Sequence, residues 1–537
     1  MDELPAEINI ITLNCWGLKY LSNLRNERLT EIGRKLATAE PSPHIVGLQE
    51  CWTQEDYRSI RRETRFILPY GKFYHSGVFG GGLVILSKWP IEESTMFRYP
   101  LNGRPTAFFR GDWFVGKGVA CAKIRYGAGH KDVMEVFNTH THPPYEKEPH
   151  DSYVCHRTAQ AWEMAKLLRG AAERGHLVIG LGDFNMVPGS LPHRIVSAHA
   201  PVRDVWRVMH PDSSLGPADD AAEKARRRPI PTAEYNVREN GATSDSIYNT
   251  WRWSKKQQKL LGPGKPPATV PPDSIDRRGK RLDYIFAGTG DRDSLGGGDD
   301  GDGGWVVKRV AVGMLDRHPE LGCSLSDHFS VEATLALPAA KSGTGFSATA
   351  AEKKDEYPAS PNGNGATNDH DVALLNGTYL LSPRPSSAHI SAAGDDDDDD
   401  NHGGQPLAAV PTEDRSLPPS TYDEILASIH RYALRERAQQ RWRGAHFLAS
   451  VAVAAGCLAA VWFSPRAGVA FALVLVSSLG LAAGTVDGLI ALLFVNSEVR
   501  ALREFEWEVM NAKGVAAGGP APVALALEEE EERVDGW

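Results

Sequence analysis

Residues 8–17 read Ile8-Asn9-Ile10-Ile11-Thr12-Leu13-Asn14-Cys15-Trp16-Gly17, a strand-length apolar run that stops abruptly on polar and small residues. The same form recurs down the chain. His44–Leu48 runs into Gln49-Glu50, Val133–Asn138 into Thr139-His140, and Leu177–Leu181 into Gly182-Asp183-Phe184-Asn185. Leu282–Phe286 follows Arg281 and contains Asp283, while Phe329–Leu335 follows Ser326-Asp327-His328. With Gly82–Leu86 and Val119–Ile124, these short runs alternate with helical patterns at Glu27–Ala39 and Ser152–Arg174, as an α/β domain requires. Polar side chains at strand ends are where such folds gather their sites.

The 537 residues carry 59 Lys and Arg against 68 Asp and Glu, a net charge of −9. Eleven of those acids sit in two runs, Asp395–Asp400 and Glu528–Glu532, and without them 57 acids face 59 bases. A folded part so close to neutral argues against holding duplex nucleic acid on a broad basic surface. Apolar residues at 42% and 13 Trp supply a large core. The cysteines, Cys15, Cys51, Cys121, Cys155, Cys323 and Cys457, form no CxxC pair and read as reduced thiols. No secretory leader is expected from the acidic, polar stretch Met1–Glu7.

We expect a catalytic domain over 1–337, with polar surface loops at 212–278 and 288–304. Residues 338–420 are Ser-, Pro-, Gly- and Asp-rich and read as a disordered linker. A basic juxtamembrane helix is expected at 421–443, membrane spans at 447–463 and 467–495, and an acidic cytosolic tail at 496–537. Arg431, Arg435, Arg437, Arg441 and Arg443 precede the first span, Arg500 and Arg503 follow the second, and Arg466 alone lies between. The positive-inside rule then puts both termini in the cytoplasm, with endoplasmic reticulum and mitochondrial membranes both open. Asp487 is a cost to this reading unless paired. Gly480 and Gly484 have a small-xxx-small spacing suited to close helix packing. A buried hairpin in a soluble domain is the alternative, but nothing nearby could cover two helices apolar all round.

Hard oxygen ligands without a cysteine pair suit Mg²⁺, with Glu50 as the best first ligand. His328 is a candidate general base, with Asp283 to hold its tautomer. Asp183 and Asn185 lie two apart, so in an extended segment both point to one side, Asp183 toward the attacking water and Asn185 toward a phosphate oxygen. His140 and His142 form an H-x-H pair that a binuclear zinc hydrolase could use, but Pro143-Pro144-Tyr145-Glu146 supplies no further ligands. His140 is read instead as a cation donating to the phosphoryl group, and His142 as a loop residue. Asp112 and Lys117, with glycines at 111, 116 and 118, read as a mobile loop whose ion pair, if solvated, is worth under about 1 kcal/mol.

Together Leu13-Asn14-Cys15-Trp16-Gly17, Leu48-Gln49-Glu50, Thr139-His140, Gly182-Asp183-Phe184-Asn185, Arg281-Leu282-Asp283-Tyr284 and Ser326-Asp327-His328 resemble, in order and spacing, the Mg²⁺-dependent phosphodiesterases of the deoxyribonuclease I and exonuclease III superfamily. Tyr20-Leu21-Ser22, Gly111-Asp112-Trp113-Phe114-Val115-Gly116-Lys117, His156-Arg157, Gln160-Ala161-Trp162-Glu163 and the paired apolar stretches narrow this to the neutral sphingomyelinases and fungal inositol phosphosphingolipid phospholipases C. The resemblance implies a four-layer sandwich with two central β-sheets. It implies Glu50 and Asn14 at Mg²⁺ and the scissile phosphate, Asp183 and Asn185 positioning water and phosphate, and His140 stabilising charge. His328 would be the base, with Asp283 its partner and Asp327 alongside. Asp112 and Lys117 would form a switch thrown by an anionic, phosphatidylserine-like phospholipid. The implied substrate is a phosphosphingolipid in a membrane, with no nucleic acid partner. The rivals are a nuclease or abasic-site endonuclease on the same scaffold, and a catalytically inactive lipid-binding scaffold.

Overall fold

The computed structural model describes residues 4–146, 153–288, 305–337 and 417–517. The expected linker, the end of the acidic tail and most of the loop at 288–304 lie outside the described residues. Among the described residues, twelve strands form two mixed six-stranded sheets. The strands are β1 (Glu7–Asn14), β2 (Ile45–Gln49), β3 (Tyr70–Tyr74), β4 (Leu83–Ser87), β5 (Ile91–Arg98), β6 (Gly118–Arg125), β7 (Val133–His140), β8 (Leu177–Asp183), β9 (Arg203–Asp204), β10 (Asp283–Gly288), β11 (Val306–Gly313) and β12 (Ser330–Ala336). The first sheet runs β11-β12-β1-β2-β4-β3 and the second β5-β6-β7-β8-β10-β9.

Strand periodicity explains the layers. On β1, Ile8 and Ile10 face the second sheet, while Ile11 and Leu13 face helices Arg25–Ala37 and Gln54–Thr64 through Leu29, Ile32, Leu36 and Ile60. Between the sheets Ile45, Ile85, Val136, Ile179, Leu181 and Ile285 are fully buried or nearly so. Each such side chain contributes about 1.5–3 kcal/mol. The sheets approach closely at Gly47 on β2, where an added Cβ would stand 2.0 Å from Leu181 Cδ1. Outside the second sheet lie helices Val154–Glu173 and Leu191–His199, completing helix, sheet, sheet, helix. This is the four-layer arrangement expected.

Residues 212–278 differ from the surface loop expected. They carry short helices at Ala221–Ala225, Ala233–Arg238 and Lys255–Gln258, and bury Asn240, Thr243, Ser246, Asn249 and Thr250. Polar composition misled because these side chains sit inside with backbone partners, as when Asn249 Nδ2 donates to Ser326 O at 2.9 Å.

The C-terminal part holds two long helices. Pro419–Trp462 is unbroken, and Ala467–Leu489 continues through a π-helical stretch Ile490–Val495 into Asn496–Ala516. Tyr422, Ile425, Ile429 and Tyr432 of the first, with Leu502, Phe505 and Val509 of the last, join the core beneath helix Val154–Glu173. Further along, Leu448, Leu458, Trp462, Phe471, Leu479 and Leu492 are exposed. Asp487 is paired with both Arg443 and His446, the latter at 2.7 Å. Gly484 packs where expected, against Ser450, but Gly480 has open space; Gly488 against Phe447 is the second close approach.

Candidate active site

Register assembles the site. Asp183 ends β8 and is paired across the ladder with His140 of parallel β7 on one side and Asp283 of antiparallel β10 on the other. Three residues spread over 143 positions of sequence, from 140 to 283, are thus abreast at one sheet end. The other sheet contributes Asn14 at the tip of β1, Glu50 just past β2, and Asp327 and His328 just before β12. Below them Gln49 Nε2 donates to Asn138 Oδ1 at 2.7 Å, and Asn138 Nδ2 to Leu48 O at 2.9 Å, tying the sheets together. The fully buried Arg28 guanidinium donates to Cys15 O, Trp16 O and Leu325 O, fixing the β1 tip against the segment that carries His328.

Asn14 links the two sets of residues, its Nδ2 donating to Glu50 Oε1 at 3.1 Å and Asp183 Oδ2 at 3.0 Å. His328 Nδ1 lies 2.8 Å from Asp283 Oδ2, and its Nε2 faces Asp183 Oδ2 at 4.0 Å. Burial disfavours the imidazolium, yet Asp283 and Asp183 outweigh it and raise the proton affinity of His328 well above the usual. The Asp283–His328 dyad expected from the sequence is formed.

His140 Nε2 is 3.6 Å from Asp183 Oδ2. Burial, then Lys117 and His328, push its pKa well down, so the expected cation is a neutral imidazole that donates through one N–H. Asn185 also departs from expectation. It is not extended but left-handed at φ 45°, and its backbone N–H donates to Asp183 Oδ1 at 2.9 Å while Nδ2 donates to Thr141 O at 3.2 Å. Trp16 at φ 47° and Glu50 at φ 53° share this conformation. Three strained non-glycine residues thus sit at the tips of β1, β2 and β8, a cost of about 1–2 kcal/mol each.

The donor set fits a hard divalent cation. Glu50 Oε2 is buried without a hydrogen-bond partner. Burial and the nearby Asp327 carboxylate raise the Glu50 pKa to about 7, a repulsion that a cation between them relieves. Burial and Asp283 likewise raise Asp183 to about 6. Asp183, Asp283 and His328 also bring one ligand atom each within 4.8 Å of one another. Because His328 Nδ1 is already engaged by Asp283 and Mg²⁺ prefers oxygens, Glu50 with Asp327 is the better cradle. Asn14, expected as a ligand, instead turns its amide N–H to Glu50, while its Oδ1 accepts from the Trp16 N–H at 3.0 Å.

Asp112 and Lys117 are buried rather than on a solvated loop. Asp112 opens a one-turn helix Asp112–Val115 between left-handed Gly111 and Gly116. Lys117 Nζ is 4.0 Å from Asp112 Oδ1 and donates to Thr141 O at 3.2 Å, beside His140. His142, read as a loop residue, is fully buried and stands 3.3 Å from Asp112 Oδ2, its ring stacked 4.0 Å from Tyr153. Tyr145 OH donates to the same carboxylate at 2.7 Å. Contacts continue outward from Tyr153 to His156, whose Nε2 is 3.1 Å from Glu498 Oε1 on the last helix. The H-x-H spacing was the one sign of His142 in the sequence; nothing there marked Tyr145 or Glu498.

A model of the Endonuclease/Exonuclease/phosphatase family matches residues 11–328. The chain is 31% identical over 533 residues to the inositol phosphosphingolipids phospholipase C of Saccharomyces cerevisiae, covering 94% of this chain and 90% of that one. It is 40% identical over 335 residues to the protein of the same name from Schizosaccharomyces pombe, covering 62% and 70%. To human sphingomyelin phosphodiesterase 2 it is 35% identical over 184 residues, covering 34% and 42%. The chain belongs to the Endonuclease/Exonuclease/phosphatase family, in the branch that holds these phospholipases C and neutral sphingomyelinases.

Proposed function

We propose that this phosphoric diester hydrolase is a membrane-anchored, Mg²⁺-dependent phospholipase C that converts phosphosphingolipids to ceramide and a phosphorylated head group. The observation that carries the reading is the Asp283–His328 dyad at 2.8 Å, set at the same strand ends as the partnerless oxygen of Glu50. Water attacks phosphorus and gives its proton to the neutral form of His328 at Nε2, a form that a cation beside the surrounding carboxylates would favour, while Asp283 holds the opposite nitrogen and the developing imidazolium. The bond from phosphorus to the ceramide oxygen breaks, and that oxygen takes a proton from solvent water as ceramide leaves. Asp183 orients the water, His140 donates to a phosphoryl oxygen, and Asn185 holds another. Mg²⁺, held by Glu50 with Asp327, would neutralise charge on the phosphate, and Asn14 Nδ2 holds the Glu50 carboxylate in place.

The exposed apolar faces of the paired helices and the pairing of Asp487 with Arg443 and His446 support spans near 447–463 and 467–495. In this organisation the domain over 1–337, both termini and the basic helix are cytoplasmic, at endoplasmic reticulum or mitochondrial membranes. Asp112 and Lys117 are the switch. They touch the His140–Thr141 backbone on one side and, through His142, Tyr153 and His156, the helix emerging from the membrane on the other, so an anionic phospholipid bound near that helix has a path to the site.

The test is ceramide release by the full chain from inositol phosphoceramide and from sphingomyelin, with Mg²⁺ or with chelator, with and without phosphatidylserine, and with plasmid DNA as control. We expect lipid turnover that needs Mg²⁺ and intact DNA. Nicked DNA with no ceramide would instead support a nuclease, and no turnover of either would support an inactive scaffold.

A further inference from the structure

The strand ends that gather the catalytic residues also carry loops with exposed apolar side chains. Residues 17–24 leave the tip of β1, and a turn in which Ser22 Oγ donates to Leu18 O at 2.8 Å leaves Tyr20 90% and Leu21 75% exposed. Residues 75–82 join β3 to β4, and the pairing of Val84 with Leu48 and of Leu83 with Tyr74 puts that loop at the same end. There Val78 and Phe79 are 75% and 58% exposed. Both loops are bonded to the segment that carries the Glu50 carboxylate. Gly17 N–H donates to Glu50 O at 3.0 Å, and Cys51 N–H donates to Gly82 O at 3.0 Å. Neither loop contains an acid, and the exposed Lys19 has its Nζ 5.8 Å from the Tyr20 ring.

Loop 75–82 is firmly held. Ser76 Oγ donates to Gly116 O at 2.6 Å, Val78 N–H donates to Phe114 O at 2.7 Å, and a Cβ on left-handed Gly77 would stand 2.4 Å from the Val115 carbonyl carbon. From the helix Asp112–Val115 a chain of rings leads to the second apolar stretch. Phe79 lies 6.0 Å from Phe114, Phe114 lies 5.0 Å from Trp113, and Trp113 lies 4.7 Å from Phe494. Phe494 is in the last turn of 467–495, at the cytoplasmic surface when both termini are cytoplasmic, the depth at which aromatic side chains gather. Tyr20 and Leu21 follow β1 of the first sheet, across the sandwich from the C-terminal helices docked outside the second.

Resting on the membrane-anchored phospholipase C reading, we infer that the catalytic end of the sandwich is a membrane-facing surface. Tyr20, Leu21, Val78 and Phe79 enter the head-group layer of the bilayer that holds the spans, and lipid is taken from that same leaflet. Apolar side chains on acid-free loops suit the boundary between head groups and acyl chains, and Lys19 meets lipid phosphate as the Tyr20 ring sinks beside it. Because the two loops flank the segment of Glu50, seating both on the bilayer brings the site to the level of lipid phosphate. The contact of Trp113 with Phe494 ties this face to the enzyme's own membrane, so turnover runs within one bilayer rather than between two.

The experiment uses the full chain, with Mg²⁺, in vesicles of phosphatidylcholine and phosphatidylserine. A fluorophore is attached at Phe79→Cys or, as control, at Phe66→Cys, which is 82% exposed just ahead of β3 at the opposite end of the sheet. We expect lipids with nitroxide-labelled head groups to quench the label at 79 and spare the label at 66. Ceramide release from inositol phosphoceramide or sphingomyelin in the enzyme's own vesicles should exceed that from enzyme-free vesicles mixed in at equal lipid by about ten-fold or more. The double variant Val78→Ser, Phe79→Ser should lower turnover of bilayer lipid relative to a short-chain, monomeric analogue about ten-fold, as taking one Phe side chain out of water implies. Phe66→Ser should leave that ratio unmoved, and simple destabilisation would scale both substrates together. Equal quenching of the two labels, equal release from the two vesicle populations, or an unchanged ratio in the double variant overturns the membrane-facing surface. So does shielding of the label at 79 by rising protein concentration without lipid, which assigns the face to a second copy of the chain. A chain stripped from the vesicles by alkaline carbonate overturns the spans and this surface together. Absence of ceramide from bilayer and monomeric lipid alike overturns the phospholipase C reading alone, since quenching at 79 still reports the surface.

Discussion

Two buried acid clusters lie two residues apart along one segment of chain, and they are built on opposite plans. Around Asp204, Arg281 Nη1 donates to Oδ1 at 2.8 Å, Nη2 lies 2.8 Å from Oδ2, His193 Nε2 is 3.2 Å away, and the Trp206 N–H donates at 3.1 Å. Burial works against that carboxylate, but Arg281 outweighs it and holds its pKa far below the normal range. At the strand ends Asp283 and Asp183 share the His328 imidazole, Glu50 has Asp327 nearby, and Asp283 Oδ1 and Glu50 Oε2 are left without hydrogen bonds. Burial alone therefore does not mark a functional acid, and neither does one missing hydrogen bond, since Arg281 Nε, Asp276 Oδ2 and Glu498 Oε2 are buried without partners too. What sets the strand-end cluster apart is several acids crowded together with no buried guanidinium paired to them among the described residues, which leaves room for a ligand or a transition state.

The contrast can be broken most sharply at the dyad. His328→Ala should cut hydrolysis by about 10³-fold or more while leaving the fold intact by circular dichroism, and a loss of less than ten-fold would remove His328 as base. Asp204→Asn should do the reverse. It should cost about 3–5 kcal/mol in denaturant unfolding, since Arg281 is left buried with no counter-charge, while turnover per folded molecule changes only a few-fold. Equal stability of this variant and wild type would contradict the structural role given to Asp204.

Glu50→Gln sharpens the comparison from the other side. It should abolish Mg²⁺-dependent turnover and any Mg²⁺-induced rise in Tm, yet raise the stability of the chelator-treated protein by about 1 kcal/mol, because a buried repulsion with Asp327 is lost. A lower Tm in chelator would argue that the Glu50 carboxylate is structural.

The smallest effect is expected at Glu135, half-buried on β7. Burial raises its pKa, but His176 at 2.6 Å and Arg174 at 2.8 Å outweigh burial and bring it to about 2. A carboxyl depressed in the folded state stabilises fully above its unfolded pKa near 4.3, and that stabilisation is lost as pH falls toward 2. Glu135→Gln should therefore unfold less steeply than wild type between pH 4 and 2. With Arg174 mostly solvated, the difference at neutral pH should be about 1 kcal/mol. Parallel acid unfolding curves would exclude the contribution.

The sequence disclosed what depends on a strand's last residues. Apolar runs ending in Asn14, Glu50, His140 and Asp183, and the run that begins after His328, were legible because β1, β2, β7, β8 and β12 are buried along most of their length. The strands β3, β5 and β11 were not, since an edge strand such as Ile91–Arg98 exposes most of its length and carries no continuous apolar run. Left-handed turns at Trp16, Glu50 and Asn185 leave no trace in composition. The neutral state of His140 depends on its burial and then on Lys117, 23 residues earlier, and His142 is buried against Tyr153 and Asp112. The helical pattern of Tyr422–Arg443 was visible, but its docking beneath helix Val154–Glu173 is a tertiary fact that no local pattern states.

The most direct test is anomalous diffraction from crystals of the full chain soaked in Mn²⁺, a scattering substitute for Mg²⁺. The account predicts a peak bonded to the Glu50 carboxylate, with His328 Nδ1 still on Asp283 and Nε2 turned to the same cavity. A peak ligated by His328 itself, or none within reach of Glu50, would contradict it.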